Sequence, residues 1–421
     1  MPRARSSSIL EKENSRAAPG PSGFDLLGEI LITGQDVVAV VFAEAIGQYS
    51  PIVVKLTFTK LTNPATLPTG TGRGAVFDST NTYLAIAHGT TPFVTIYKRS
   101  GDTFTKLANP ATLPTGDSYG AAFDPTSTYL AITHFLSPWV TIYKRSGDTF
   151  TKLANPAILP ADTGYGATFD PTNTYLAIAH SATPFVTIYK RSGDTFTKLA
   201  NPATLPTGIG YGAAFDPTST YLAIAHFVSP YVTIYKRSGD TFTKLADPAA
   251  LPASTGYGAA FNPTSTYLVI THVTTPYVTI YKRSGDTFTK LANPAILPTG
   301  NSNGAAFDPT NTYLAIAHSI SPFVTIYKRS NDTFTKLTNP VTLPATTGYG
   351  AAFDPTSTYL AIPHVTTPYV TIYKLDQKVY LGGNNINNVT GDPNVTAAGY
   401  AKEAGVATET KQIVRIWRTV P

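Results

Sequence analysis

Seven histidines, His88, His134, His180, His226, His272, His318 and His364, recur at intervals of 46 residues and are the only histidines in the chain. A series of imidazoles invites a metal reading. A shared zinc needs ring nitrogens ~2.0–2.1 Å from the ion, whereas equivalent positions on packed sheets stand ~10 Å apart. The spacing therefore predicts one structural hydrogen bond per unit, and neither a metal nor another cofactor is expected. Carboxylates offer less. Residues 52–376 contain no glutamate, and nearly all their aspartates, such as Asp124 and Asp148, sit in turn sequences. Asp117 and Asp162 are the exceptions. A glycosidase needs two carboxylates ~5–9.5 Å apart, one of them an acid of raised pKa, and nothing around this pair supplies the rest. The same histidine in every unit rules out a Ser-His-Asp asymmetry, and no glycine-rich phosphate loop is present. Catalysis is not expected.

A third set is aromatic. Arg73, Tyr119, Tyr165, Tyr211, Tyr257, Asn303 and Tyr349 occupy one position of the 46-residue unit, just ahead of a Gly/Ala-rich segment. Tyrosines in a ring present an apolar face and a polar tip, which suits sugar faces or partner loops. Packing between units would use them equally well. Arg73 and Asn303 break the series.

These residues are positioned by one repeated block, which buries its faces only against its neighbours. In the unit beginning at Gly120, the segment Gly120–Phe123 leads into an Asp-Pro-Thr-Ser turn. Tyr129–His134 follows, then a short loop closing at Pro138, then Trp139–Lys144 with alternating β-branched and aromatic residues. Arg145–Asp148 reads as a tight hairpin turn, Thr149–Leu153 as an edge strand, and a proline-rich crossover carries the chain on. Four antiparallel strands per unit make the blade of a β-propeller. Gly and Ala belong on the innermost strand, where blades converge, and Thr and Lys on an edge protected by charge.

The sequence Thr-Phe-Thr-Lys-Leu occurs seven times, from Thr57 to Leu337; the other three strands also occur seven times, but from Gly74 to Lys374. The first edge strand thus has no blade ahead of it, and the last three strands have no edge after them. Pairing the two closes a seven-bladed, all-β propeller over residues 52–376. Residues 1–23 read as a disordered arm without the apolar stretch of a secretory signal. Residues 24–51 and 377–421 are expected to form one small, mostly-β anchor domain. Glu29, Asp36 and Glu44 interrupt the apolar run 26–46, and a charge at mid-bilayer costs ~2.5–3.5 kcal/mol, so no membrane span is expected. There is no cysteine, and the net charge of +6 is spread through the array, which gives no nucleic-acid footprint.

The blade layout resembles that of WD40-like propellers, although Ile-Tyr-Lys stands where that family has Trp-Asp. Tyr-Leu-Ala-Ile-Ala-His and Val-Thr-Ile-Tyr-Lys-Arg are similar to the near-identical propeller repeats of bacteriophage and prophage structural proteins. The tail Gly399–Arg418 resembles short β-modules of phage virion proteins. The resemblance implies a non-enzymatic virion protein that meets other virion proteins through residues 24–51 and 377–421. Its propeller would bind a host surface glycan or protein. A capsid-decoration or tail-assembly protein without a ligand is the alternative, and a polysaccharide-active enzyme using Asp117 and Asp162 the third.

Strand direction puts the crossovers and the loops after the histidines on one face, here the top, and the Asp-Pro and Arg-Ser-Gly-Asp turns on the other. Bottom turns barely vary among repeats, whereas top loops do. Either a partner meets the top, or unconstrained loops have drifted. The top carries the apolar candidates Phe135, Leu136, Phe227, Val228 and Ile320, which would form an interaction surface.

Overall fold

A computed structural model of the chain describes the backbone of residues 48–381 and 395–403, and side chains from Thr57 to Asp376. The residues expected to form the arm and most of the anchor lie outside this range. All described secondary structure is β, and no helix among the described residues could cross a membrane. Phe58–Asp376 forms one compact unit, and the remainder of the chain is assigned to a second. In the second unit, residues 48–55 pair antiparallel with residues 395–403, from Gln48 opposite Glu403 to Lys55 opposite Val395.

The first unit is a seven-bladed propeller. Six blades are four-stranded antiparallel sheets in chain order. In the second blade the strands are Ser118–Phe123, Tyr129–His134, Val140–Ser146 and Thr149–Lys152. The seventh blade is completed by the strand Gln48–Lys60, which lies beside Val370–Leu381. Leu61 N donates to Ile372 O at 2.8 Å, repeating the bond from Leu153 to Ile142 inside blade 2. The ring therefore closes with strands from both ends of the array.

Local boundaries differ from the sequence reading in three places. In blades 1–6 the ring position lies within the inner strand, not ahead of it, because that strand begins two residues earlier, at Ser118 and its equivalents, and carries a bulge, as between Ser118 and Gly120; Tyr349 still precedes the inner strand of blade 7. Trp139 does not start the third strand. It sits at φ 63°, with its N–H donating to Leu136 O and its carbonyl accepting from His134 N. The hairpin turn is only Gly147-Asp148, since Ser146 already pairs with Thr149 and Gly147 alone takes φ +57°.

Each second strand is buried along its whole length, as in Tyr129–His134. Alternate residues therefore face opposite neighbours. Tyr129 and Ala131 join Leu176, Ile178, Tyr189 and Phe196 of the next blade in one core cluster. The Tyr129 ring meets Phe196 edge-to-face at 5.9 Å, an arrangement worth roughly 0.5–1.5 kcal/mol beyond burial. Near the axis, a Cβ at Gly166 would lie 2.8 Å from Tyr211 O of the next blade, so glycine there sets how closely blades converge. In blade 7 the inner strand shrinks to Ala352–Phe353. Pro363 replaces the Ala or Thr that precedes the histidine elsewhere, and its missing N–H removes a ladder bond.

The bottom turns join blade to blade. Asp170 is fully buried; its Oδ1 accepts from Thr174 N and Tyr175 N at 2.7 and 2.6 Å. Its Oδ2 accepts from Thr172 Oγ1 and, at 2.6 Å, from Ser219 of the next blade. At the rim, Tyr175 donates to Asp240 of the next blade at 2.6 Å, Lys190 pairs with the same carboxylate at 2.8 Å, and Arg237 covers the Tyr175 ring at 5.0 Å. Blade 7 repeats this toward blade 1 through Tyr359, Lys374 and Asp102. Asn262, which stands at the Asp170 position in blade 5, keeps both backbone bonds through Oδ1. Asp170→Asn should therefore cost little. Asp170→Ala, which strands several buried donors at ~1–3 kcal/mol each, should lower stability by about 3 kcal/mol or more in urea denaturation. Equal effects of the two substitutions would contradict this account.

Candidate binding face and channel mouth

The histidines are structural. All seven are fully buried, and each Nε2 lies 2.9–3.1 Å from the hydroxyl of a threonine seven residues on, such as Thr141 for His134 and Thr187 for His180. His134 Nδ1 lies 2.7 Å from Leu136 O and donates to it, which makes Nε2 the acceptor for Thr141. At His88, His180, His272 and His364, Nδ1 is buried without a partner in hydrogen-bonding geometry. Burial lowers every one of these pKa values from 6.5 to about 4, so the rings are neutral at pH 7. The threonine partner was readable in every Val-Thr-Ile-Tyr phrase but went unused in the sequence reading.

Top-face variation is partly structural too. In blades 1, 2, 4 and 6 the crossover begins Thr-Gly, and that threonine donates to two carbonyls of the loop after the histidine. Thr115 reaches Leu136 O at 3.2 Å and Ser137 O at 2.8 Å; Thr207 and Thr299 do the same. The glycine makes room for an apolar side chain, since a Cβ at Gly116 would lie 3.1 Å from Leu136 and one at Gly208 2.8 Å from Val228. Blades 3, 5 and 7 begin the crossover with Ala, and in blades 5 and 7 Ser254 and Thr346 tie it to Thr274 and Thr366 instead. From blade 2 to blade 7 crossover and loop thus change together, in two alternating forms. The invariance of the bottom also has a structural cause in its blade-to-blade bonds, so the contrast between faces does not by itself argue for a partner.

What the alternation leaves exposed is apolar. Phe135 and Leu136 are 52% and 50% exposed, Phe227 and Val228 51% and 44%, and Ile320 55%. All five lie in the loops after the histidines.

At the channel mouth the ring residues behave differently from one another. Tyr119, Tyr165, Tyr211 and Tyr257 form a ladder across four blades, with centroids 4.9–5.0 Å apart. Burial, with Tyr119, Tyr211 and Asp162 nearby, raises the Tyr165 pKa. Asn303 leaves the series by donating to Gly348 O at 2.8 Å, and Tyr349 is 38% exposed. Arg73 caps the other end. Its guanidinium lies 4.3 Å from the centre of the Tyr119 ring, and Nη2 pairs with Asp117 Oδ2 at 3.3 Å. Below the mouth, the axial cavity of about 180 Å³ is lined by inner-strand Gly and Ala residues; of the ring residues, only Tyr119 and Tyr165 reach it.

Asp117 and Asp162 are engaged separately. Asp117 bonds Arg73, and Asp162 accepts from the backbone N–H of Thr163 at 2.7 Å.

No protein-family model matches the chain, and no curated protein does. Among solved structures, hydrazine synthase of Kuenenia stuttgartiensis is similar over 75% of this chain and 98% of its own, with a TM-score of 0.58 and 14% identity. At that identity the likeness is one of fold, and 1543 solved chains match in all.

Proposed function

We propose that the chain is a non-enzymatic binding head of a bacteriophage particle, whose top face takes a host surface glycan or protein. The observation that carries the binding half is the set of exposed apolar side chains on one face, Phe135, Leu136, Phe227, Val228 and Ile320. Large apolar groups gathered on one face mark an interaction surface. The particle half rests on the similarity of the repeat phrases to those of phage structural proteins. Residues 24–51 and 377–421 would then meet other virion proteins.

The test is adhesion of the fluorescently labelled full chain to bacterial cells, beside a variant with Phe135, Leu136, Phe227 and Val228 changed to serine. Saturable binding, weakened ten-fold or more in the variant at unchanged thermal stability, is the expected outcome. A chain that adheres to no susceptible strain would instead favour a ligand-free structural ring, in which the tyrosine ladder serves blade packing alone.

A further inference from the structure

We propose that the channel mouth between blades 1 and 2 is a subsite for one neutral sugar residue, held by Arg73, Asp117 and the Tyr119–Tyr165 end of the ladder. This rests on the binding-head reading and gives it a ligand class. Arg73 Nη1 is sheltered from solvent yet has no hydrogen-bond partner among the described residues. Asp117 is bonded to Arg73 through Oδ2 and its side chain remains 42% exposed, so the carboxylate keeps capacity to accept from a ligand. The Arg73 guanidinium, on a side chain 23% exposed, and the Asp117 carboxylate beside it match two adjacent hydroxyls, one accepting from Arg73 and the next donating to Asp117. The tyrosine rings offer the flat apolar surface that the C–H face of a pyranose covers.

The charges narrow the class. Asp117 and Asp162 both lie at this end of the mouth and repel an anion, while Arg73 repels a cation.

One further residue sets this blade apart. The position directly after each histidine is Gly89, Phe135, Ser181, Phe227, Val273, Ser319 and Val365. A Cβ at Gly89 would lie 3.6 Å from Arg73 Nη2 and 3.7 Å from Asp117 Oδ2. Glycine here leaves uncovered a charged pair that the phenylalanine of blades 2 and 4 would close off. The backbone imposes no such choice, because Gly89 is not among the residues of positive φ.

The experiment is saturation-transfer NMR on the full chain with the methyl glycosides of glucose, galactose, mannose and galacturonic acid. Asp117→Asn and Gly89→Phe run beside the wild type, with Ile296→Ser, at another exposed apolar side chain, as a control. At least one neutral glycoside should bind the wild type and the control, and bind ten-fold or more weakly to the other two; the galacturonate should not bind. Gly89→Phe keeps both polar groups, so its loss of binding cannot be assigned to a broken ion pair. Silence with every neutral glycoside, equal binding to all variants, or preference for the galacturonate would each overturn the subsite. Cell adhesion separates the two levels: adhesion unchanged in Asp117→Asn and Gly89→Phe sinks this subsite and spares the binding head, whereas glycoside binding without adhesion does the reverse.

Discussion

Acidification from pH 7 to pH 4 is expected to unfold the propeller, with a steepness set by its histidines. Their pKa values are about 4 in the fold against 6.5 for a free imidazole. The unfolded chain therefore binds more protons between those limits, and stability falls as pH falls through that window. Above pH 6.5 the contribution is complete. A displacement of ~2.5 units is about 3.4 kcal/mol per ring, and seven rings reach about 24 kcal/mol. Since domains are stable by only ~5–15 kcal/mol, unfolding should come before pH 4 is reached. The cause is local: a proton on Nε2 turns the acceptor for the threonine hydroxyl into a second donor, in a site closed to bulk solvent. The paired aspartates cannot account for the window. Bonds from lysine and tyrosine lower the pKa of Asp148 and Asp194 below 3.8, so they titrate beneath it. Urea denaturation at half-unit pH steps should show stability dropping by several protons' worth per pH unit near pH 5. A flat profile between pH 4 and 6.5 would mean the rings charge freely in the fold.

Removal of residues 1–61 should cost the ring its closure. The deletion uncovers the outer side of the strand Val370–Leu381, including Ile372 O, which accepts from Leu61 N. It also removes Phe58, 6% exposed, whose ring packs against Tyr313 at 6.0 Å and Phe353 at 6.5 Å. An unpaired apolar strand edge is a template for another chain, so the truncated protein should form oligomers visible by light scattering. Phe58→Ala keeps the backbone pairing and tests the packing alone, with an expected loss of about 3–5 kcal/mol. A monodisperse truncation of near-native stability would show that three strands suffice for blade 7.

The architecture was readable because repetition turns counting into topology. The edge-strand sequence Thr57–Leu61 appears before any inner strand, and that offset alone implied the split blade. Contacts between units were not readable. Tyr175 reaches Asp240 across 65 residues, and no local pattern distinguishes that aspartate from an ordinary turn residue. For the same reason, bottom-turn constancy looked like a background against which top-face change stood out. At the candidate site, the odd residues Arg73, Asn303 and Asp117 were visible as breaks in a series. Their pairing was not, since Arg73 and Asp117 belong to different units and meet only when blade 1 packs on blade 2. Gly89 carried a signal in the sequence as the smallest residue of its series, but its meaning depends on what lies beside it.

The two alternating forms of the top loops have an arithmetical consequence. A pattern of period two cannot close on an odd number of blades, so somewhere in the ring two like forms must adjoin. For the loops that seam falls between blades 7 and 1, and for the crossovers between blades 1 and 2, where Thr69-Gly70 and Thr115-Gly116 adjoin. At the loop seam Thr71 donates to Val365 O of blade 7, whose Val-Thr-Thr loop has the form of blade 1's own Gly-Thr-Thr loop, in the way Thr163 donates to Phe135 O and Thr347 to Ser319 O at other junctions. Blade 1 is a hybrid as a result, joining a Thr69-Gly70 crossover of one form to a Gly-Thr-Thr loop of the other. Parity thus singles out one blade in an otherwise interchangeable set, and that blade carries both Arg73 and Gly89. A ring with an even number of blades could have been uniform; seven guarantees a defect, and a defect gives a symmetric ring a single address.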